Sequence, residues 1–317
     1  MEEPISETRL LLNTFCTITI YDTQNRKILA EALDLCAEYE AMLSISIEES
    51  DVWRINHAKG KPTIVESQTA DIIRAGLEYS ELSGGMFDIT IGRLSTLWDF
   101  SGLSGVPVES DIDYARETVD YSQVTIDGNT VQLANPEAWI DLGGIAKGYI
   151  ADRVADFLEE SGVKAAIIDL GGNIVVLGKR LDGNPWKIGV TSPFNERRDL
   201  IGIIETSEAS IVSAGVYERQ FEENGVQYHH IIDPYTGMPV QSNVVGATVI
   251  SEKSMVGDAL STISLLVGIK QISDSAKENE MTAESILESQ PGFIGAVFVL
   301  DDGEVIQYGD IDFQKTG

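Results

Sequence analysis

The sequence is poor in the residues that most often carry covalent and metal chemistry. Its 317 residues include two cysteines, Cys16 and Cys36, and three histidines. Two isolated cysteines build neither a disulfide scaffold nor the paired spacing of a zinc site, so two buried thiols are expected. Basic residues are also scarce: 22 Lys and Arg stand against 51 Asp and Glu, leaving a net charge of −29. Such a chain lacks the basic stripe that neutralises phosphates, which excludes nucleic acid as a partner and a polybasic membrane anchor with it. No run of about 18 apolar residues occurs. The opening Met1-Glu2-Glu3-Pro4 has neither the basic nor the apolar region of an export signal. Two locations stand as expectations: the cytoplasm, or the cell envelope for a chain whose signal has been removed. No Pro/Ser-rich linker divides the chain, so residues 1–317 are expected to form one domain.

What is present is an ordinary globular composition, 43% hydrophobic and 23% charged. Strand and helix signals alternate without the regular beat of a doubly wound sheet, which points to an α+β fold. A strand is expected over Leu10–Asp22, followed by a helix with Ile28, Ala32, Leu35, Tyr39 and Met42 on one stripe. Further helices are expected over Ser67–Ser83, closed by Gly84-Gly85, over Ile145–Ser161, over Ser254–Val267, closed by Gly268, and near Gln271–Glu288. Hairpins are expected around Asp127-Gly128-Asn129 and Asp301-Asp302-Gly303. The second half carries strands at Ala165–Leu170, Ile174–Leu177, Trp186–Thr191, Leu200–Glu205, Tyr228–Ile232 and Val244–Ile250.

Four segments could hold chemistry. Asp141-Leu142-Gly143-Gly144-Ile145-Ala146-Lys147-Gly148 reads as a strand-to-helix passage with glycines at the turn and a lysine in the first helical turn. Free N–H groups and the positive dipole end of such a helix suit a phosphate, though a plain glycine turn would read the same way. Asp258 and Thr262 lie four apart on one helix, and that carboxylate and hydroxyl suit a hard cation such as Mg²⁺; the alternative is a core carboxylate paired with an amide. His229 and His230 end a strand on opposite faces, so at most one enters a given pocket, while His57 sits in a polar loop. Phe87 and Asp88 follow Gly84-Gly85-Met86 and form either a pocket edge or a strand entry. No Gly-x-Ser-x-Gly elbow or cysteine nucleophile is evident.

Together these segments resemble the ApbE family of FAD:protein FMN transferases. The resemblance is carried in order by Gly85-Met86-Phe87-Asp88-Ile89-Thr90-Ile91-Gly92, by Asp141 to Tyr149, by Asp169-Leu170-Gly171-Gly172-Asn173, by Tyr217-Glu218-Arg219, by His230-Ile231-Ile232-Asp233-Pro234-Tyr235-Thr236-Gly237 and by Asp258-Ala259-Leu260-Ser261-Thr262. It spans about Leu10 to Gly309. It implies two interlocked α+β subdomains forming one compact unit that binds FAD and Mg²⁺. It further implies transfer of FMN to a Thr or Ser hydroxyl of an acceptor protein through a phosphoester bond, with release of AMP. The metal ligands would be Asp258, Thr262 and the Gly144 carbonyl. Leu12, Phe87, Asp88, Asp141, Lys147 and His230 would contact FAD, and His230 or Asp258 would serve as base. The resemblance also implies a cell-envelope location. Two readings compete with transfer: a pyrophosphatase that splits FAD into FMN and AMP, and a flavin-binding protein without catalysis.

A dinucleotide ligand sits oddly with so acidic a chain. Between Lys147 and Arg198, however, eight basic residues face seven acidic ones, so the other 265 residues carry −30. The acidity lies away from the expected phosphate seat, and an acceptor must tolerate it.

Overall fold

The computed structural model describes residues 3–100, 105–194, 199–269 and 282–316. Its centre is an antiparallel sheet of eight strands. In spatial order these are β1 (Ile5–Leu11), β2 (Thr14–Ile20), β6 (Ala166–Leu170), β7 (Asn173–Leu177), β10 (Ala209–Gly215), β13 (Val244–Ser251), β14 (Phe293–Leu300) and β15 (Val305–Gly309). Strand alternation gives the sheet two apolar faces. Cys16, Ile18 and Ile20 point to the side covered by α1 (Arg26–Leu43), α6 (Ala146–Glu160) and α7 (Ser254–Val267). Ile167, Ile174, Val176, Ile211 and Ile250 point the other way, against Trp186, Ile188 and Ile204 of a three-stranded sheet formed by β8 (Trp186–Thr191), β9 (Leu200–Thr206) and β16 (Asp312–Lys315). The main core draws side chains from Ile5 through Leu300, and both cysteines are buried in it with free thiols pushed up to about 11 and about 12 by desolvation.

Among the remaining elements the helix over Ser67–Leu82 is long, at 16 residues, and the others are short. Helices α2 (Asp51–His57), α3 (Ser67–Leu82), α4 (Gly92–Leu97) and α5 (Glu109–Arg116) accompany a sheet of β3 (Thr63–Ile64), β4 (Val124–Asp127) and β5 (Thr130–Leu133). A separate hairpin, β11 (Gln220–Glu223) with β12 (Val226–His229), turns at Asn224-Gly225, and α8 (Ala283–Ser289) precedes β14.

Several expectations change. The strand expected over Leu10–Asp22 is the turn and second arm of a hairpin: Leu12 and Asn13 both take left-handed φ, 54° and 57°, and reverse the chain. Two such residues form the mirror-image turn that matches strand twist, and the missing glycine hid it. The first helix buries Leu29, Leu33, Cys36 and Leu43 beside Ala32 and Tyr39, while Ile28, Leu35 and Met42 are half-buried, so the buried stripe lies one residue round from the expected one. Tyr149 and Phe157 of α6 are likewise half-buried. The strand expected at Tyr228–Ile232 stops at His229, and Ile232 makes only a single bridge to Pro239. Of the helix expected near Gln271–Glu288, residues 270–281 lie outside the described residues, and the described part is α8.

Candidate functional site

Two helices that cross at their N-termini build the centre of the site. Helix α7 is apolar and buried along most of its length and ends where Gly268 takes φ 69°. Helix α6 approaches it through Gly148, where a Cβ would collide with the Ser254 carbonyl oxygen and lie 2.7 Å from both Met255 Cα and Asp258 Cβ. Neither helix start has a cap from its own N-cap side chain. Each is capped instead by an aspartate of the other. The Gly148 N–H of α6 donates to Asp258 Oδ2 at 2.8 Å, and the Ser254 and Met255 N–H groups of α7 donate to Asp152 Oδ1 and Oδ2 at 2.7 and 2.9 Å. A carboxylate at a helix N-terminus answers unpaired N–H groups and the positive dipole end together. Both aspartates are buried, and desolvation raises the Asp152 carboxyl above its usual range.

The two caps differ in what they leave over. Asp152 uses both oxygens on backbone amides. Asp258 uses Oδ2 alone, and its Oδ1 lies 3.7 Å from Lys147 Nζ, in the first turn of α6. Thr262 lies one turn beyond Asp258, and a Cβ on Gly144 would lie 3.6 Å from Thr262 Cγ2 and 2.8 Å from Phe87 Cε2. The α6–α7 crossing thus brings together Gly144, Lys147, Asp258, Thr262 and Phe87. One carboxylate, one hydroxyl and a turn carbonyl fit a hard cation that completes its shell with water and ligand oxygens. Among the described residues no three Asp, Glu, His or Cys side chains converge, so this donor set is not an all-protein cage.

The Asp141 segment enters the helix from a loop, where a strand was expected: only Trp139 bridges to Ile91. Asp141 Oδ1 accepts from Gly143 N at 2.8 Å and Oδ2 from Ser95 Oγ at 2.6 Å, which shapes the turn that exposes Gly143. Asp88 is buried in a turn. Its Oδ1 accepts from Thr90 N and Thr90 Oγ1, both at 2.7 Å, and its Oδ2 accepts from Tyr121 N at 3.0 Å; burial raises its carboxyl. Both its oxygens are therefore engaged within the protein. Leu12 sits on the β1–β2 turn, with its N–H held at 2.8 Å by Glu40 Oε1. Beside it, a Cβ on Gly171 would collide with Thr14, so the Gly171-Gly172 turn packs directly against this hairpin.

His230 lies just past β12, half-buried, with Nδ1 3.3 Å from the Arg219 carbonyl oxygen. Desolvation, with Arg219 adding to it, pushes its imidazole down to about 3, so the ring is neutral at physiological pH. Lys147 makes the smallest contribution to that lowering. A file of rings supports it: Phe100 lies edge-on to His230 at 6.3 Å, Trp98 stacks on Phe100 at 5.9 Å and on Tyr228 at 5.8 Å. His229 turns inward, its Nδ1 buried without a partner, and His57 stacks on Trp53 at 4.0 Å.

Sequence reasoning missed the residues that hold these groups: Asp152, Ser95 and Glu40. Asp152 follows Gly148 by four residues on the face of α6 that meets α7, and that spacing is the one local signal available. Asn173, at the start of β7, is 1% exposed and neither end of its carboxamide has a partner among the described residues. A cleft of about 370 Å³ lined by Pro4, Tyr21, Arg180 and Trp186 lies beside the second core, and none of the residues singled out from the sequence line it.

Residues 12–287 match the model of the ApbE family. The chain is 33% identical over 263 residues to a Vibrio cholerae protein named FAD:protein FMN transferase, covering 82% of this chain and 79% of that one. It is 34% identical over 280 residues to a protein of the same name from Klebsiella pneumoniae, covering 87% and 86%. Among solved structures, the ApbE protein of Thermotoga maritima superposes with a TM-score of 0.83 at 30% identity, covering 96% of this chain and 97% of that one. The flavin transferase ApbE of Vibrio cholerae superposes at 0.82 with 27% identity, covering 96% of each.

Proposed function

The chain belongs to the ApbE family, and from that premise we infer that it is an FAD:protein FMN transferase, taking FAD as substrate and a protein as acceptor. The observation that carries the reading is the pair of helix N-termini converging on Lys147 and the half-used carboxylate of Asp258. An ammonium beside a carboxylate oxygen left over for a divalent cation suits a pyrophosphate in a molecule that is otherwise strongly negative.

In the reaction we propose, a Thr or Ser oxygen of the acceptor bonds to the FMN phosphorus. The P–O bond to the AMP half breaks, and AMP leaves with the bridging oxygen. Asp258 Oδ1, Thr262 Oγ1 and the Gly144 carbonyl would hold Mg²⁺, which supplies charge neutralisation at the phosphoryl oxygens. Lys147 binds the same oxygens through its ammonium, and most of the rate comes from such positioning and electrostatics. Phe87, Asp141 and Leu12 line the flavin side; Asp88, with both oxygens engaged, serves by holding the Phe87 turn. The hydroxyl proton goes to His230, whose ring is neutral and so has a lone pair to accept it. An envelope location completes the reading, and cell fractionation tests that part.

Incubation with FAD, Mg²⁺ and acceptor domains bearing a candidate Thr or Ser should leave flavin fluorescence on the acceptor band after denaturing electrophoresis. No bound flavin on any of several acceptors overturns the reading. AMP released at the same rate without acceptor identifies a pyrophosphatase instead.

A further inference from the structure

One hydroxyl joins two segments of the site that lie far apart in sequence. Tyr235 is 58% exposed, yet its Oη donates to the Gly84 carbonyl at 2.6 Å, across 151 residues. The accepting segment is a glycine turn tied to the end of α3, where the Gly84 N–H donates to the Glu81 carbonyl at 3.0 Å and the Gly85 N–H to the Ser80 carbonyl at 2.8 Å. Gly84 and Gly85 take φ of 60° and 84°, a left-handed pair that glycine alone adopts freely. A Cβ on Gly85 would lie 2.9 Å from Tyr235 Oη and 3.5 Å from Tyr121 Cε1, so two tyrosines close over backbone that carries no side chain. Three residues after Gly84 comes Phe87, whose N–H is held by Ser83 Oγ at 2.9 Å and whose ring packs on the Gly144 turn.

The donating segment is fixed. Asp233 Oδ1 accepts from Tyr235 N at 2.7 Å and Thr236 N at 3.3 Å, Arg116 Nη1 donates to the Tyr235 carbonyl at 3.0 Å, and Trp98 Nε1 donates to the Gly237 carbonyl at 3.0 Å. This rigid turn begins three residues after His230. A displacement at Gly84 therefore reaches the Phe87 ring, and the Tyr235 hydroxyl sets Gly84 against the turn that follows His230.

We propose that Tyr235 is a positioning residue for FAD binding: its hydroxyl registers the Gly84–Phe87 segment against the Gly144 turn and so couples the His230 side of the site to the Asp258 side. The proposal rests on the reading above, in which FAD is the ligand and Phe87 meets it. Tyr235→Phe keeps the ring and removes only the bond. With the full chain and Mg²⁺, flavin fluorescence titration should show FAD bound about fivefold more weakly by Tyr235→Phe, the weight of one lost hydrogen bond. KM for FAD should rise by the same factor with kcat unchanged, and the melting temperature should stay within about 2 °C because the side chain is exposed. Tyr114→Phe, which loses only a long contact from an exposed hydroxyl to Glu137, should match wild type throughout. Equal FAD affinity in Tyr235→Phe and wild type overturns the proposal, as does an affinity loss accompanied by a comparable loss of melting temperature. Failure of the transferase reading looks different: wild type binds FAD but leaves no flavin on any acceptor, and the affinity comparison still decides the role of Tyr235. Absence of FAD binding by wild type overturns both.

Discussion

Asp152 and Asp258 occupy equivalent places, each on one helix and capping the start of the other. Asp152 gives one oxygen to each of two amides. Asp258 gives one oxygen to Gly148 and leaves the other 3.7 Å from an ammonium, too far for a good hydrogen bond. A buried carboxylate with both oxygens spent is a fastening, and its worth is the cost of orphaning what it fastens. A buried carboxylate with one oxygen left over keeps coordination capacity, and it sits beside the Lys147 ammonium. The same side chain in the same relation thus divides into structure and chemistry by the count of its partners.

That division is broken if the two aspartates respond alike to substitution. Asp258→Ala should lower transfer by about 10³-fold, the scale of several kcal/mol of phosphoryl charge stabilisation. It should also abolish any rise in melting temperature produced by Mg²⁺ with FAD, while the unliganded protein loses about 1–2 kcal/mol, since Gly148 N is the one buried amide orphaned. Asp152→Ala should do the reverse. Two buried N–H groups lose their acceptor, so unfolding by denaturant should show a loss of roughly 2–4 kcal/mol, while the folded fraction keeps its affinity for FAD. Large loss of transfer in Asp152→Ala at a temperature where it remains folded would remove the distinction.

The comparison also marks where the sequence stops being readable. Helix α7 is legible to the residue, because an apolar run closed by Gly268 needs no outside help, and the i, i+4 pair Asp258 and Thr262 stands on it in plain view. Helix α3 and the turn at Gly128-Asn129 are legible for the same reason: the glycine is local. The reciprocal caps span 102 and 110 residues, so no local pattern carries them. The β1–β2 turn is hidden likewise, since a leucine with φ 54° is held by Glu40, 28 residues away. Strand β10 escapes because its small residues, Ala209, Ser210, Ser213 and Ala214, owe their extended state to β7 and β13 on either side. The family motifs supply what local physics does not, placing Lys147, Phe87 and His230 in one list before the fold shows Lys147 beside Asp258 and Phe87 against Gly144.

A smaller effect sharpens the same contrast from the cationic side. Lys147 is half-exposed and its pairing with Asp258 is loose, so it contributes little to stability. Lys147→Gln should leave the melting temperature within about 2 °C of wild type. Transfer should fall by about 10²-fold, the usual weight of one electrostatic donor at a reacting oxygen. Steady-state rates beside thermal melts decide it, and a large stability loss would reassign Lys147 to the fastening class with Asp152.

The smallest effect concerns His230 and tests whether its half of the site is held dry. The folded ring is pushed down to about 3, whereas the unfolded chain returns it to about 6.5. Between those values the unfolded state binds a proton that the folded state refuses, so stability present above pH ~6.5 is lost as pH falls toward 3. His230→Asn has no such proton to refuse. The drop in melting temperature from pH 7 to pH 5 should therefore be smaller in the variant by roughly 2 °C, corresponding to about 1 kcal/mol once solvent screening of a half-buried ring is allowed for. His229, also depressed by burial, remains in both proteins and cancels in the difference. Identical acid limbs in the two proteins would mean that His230 titrates as a solvated imidazole, and that Phe100 and the rings behind it do not exclude water from it.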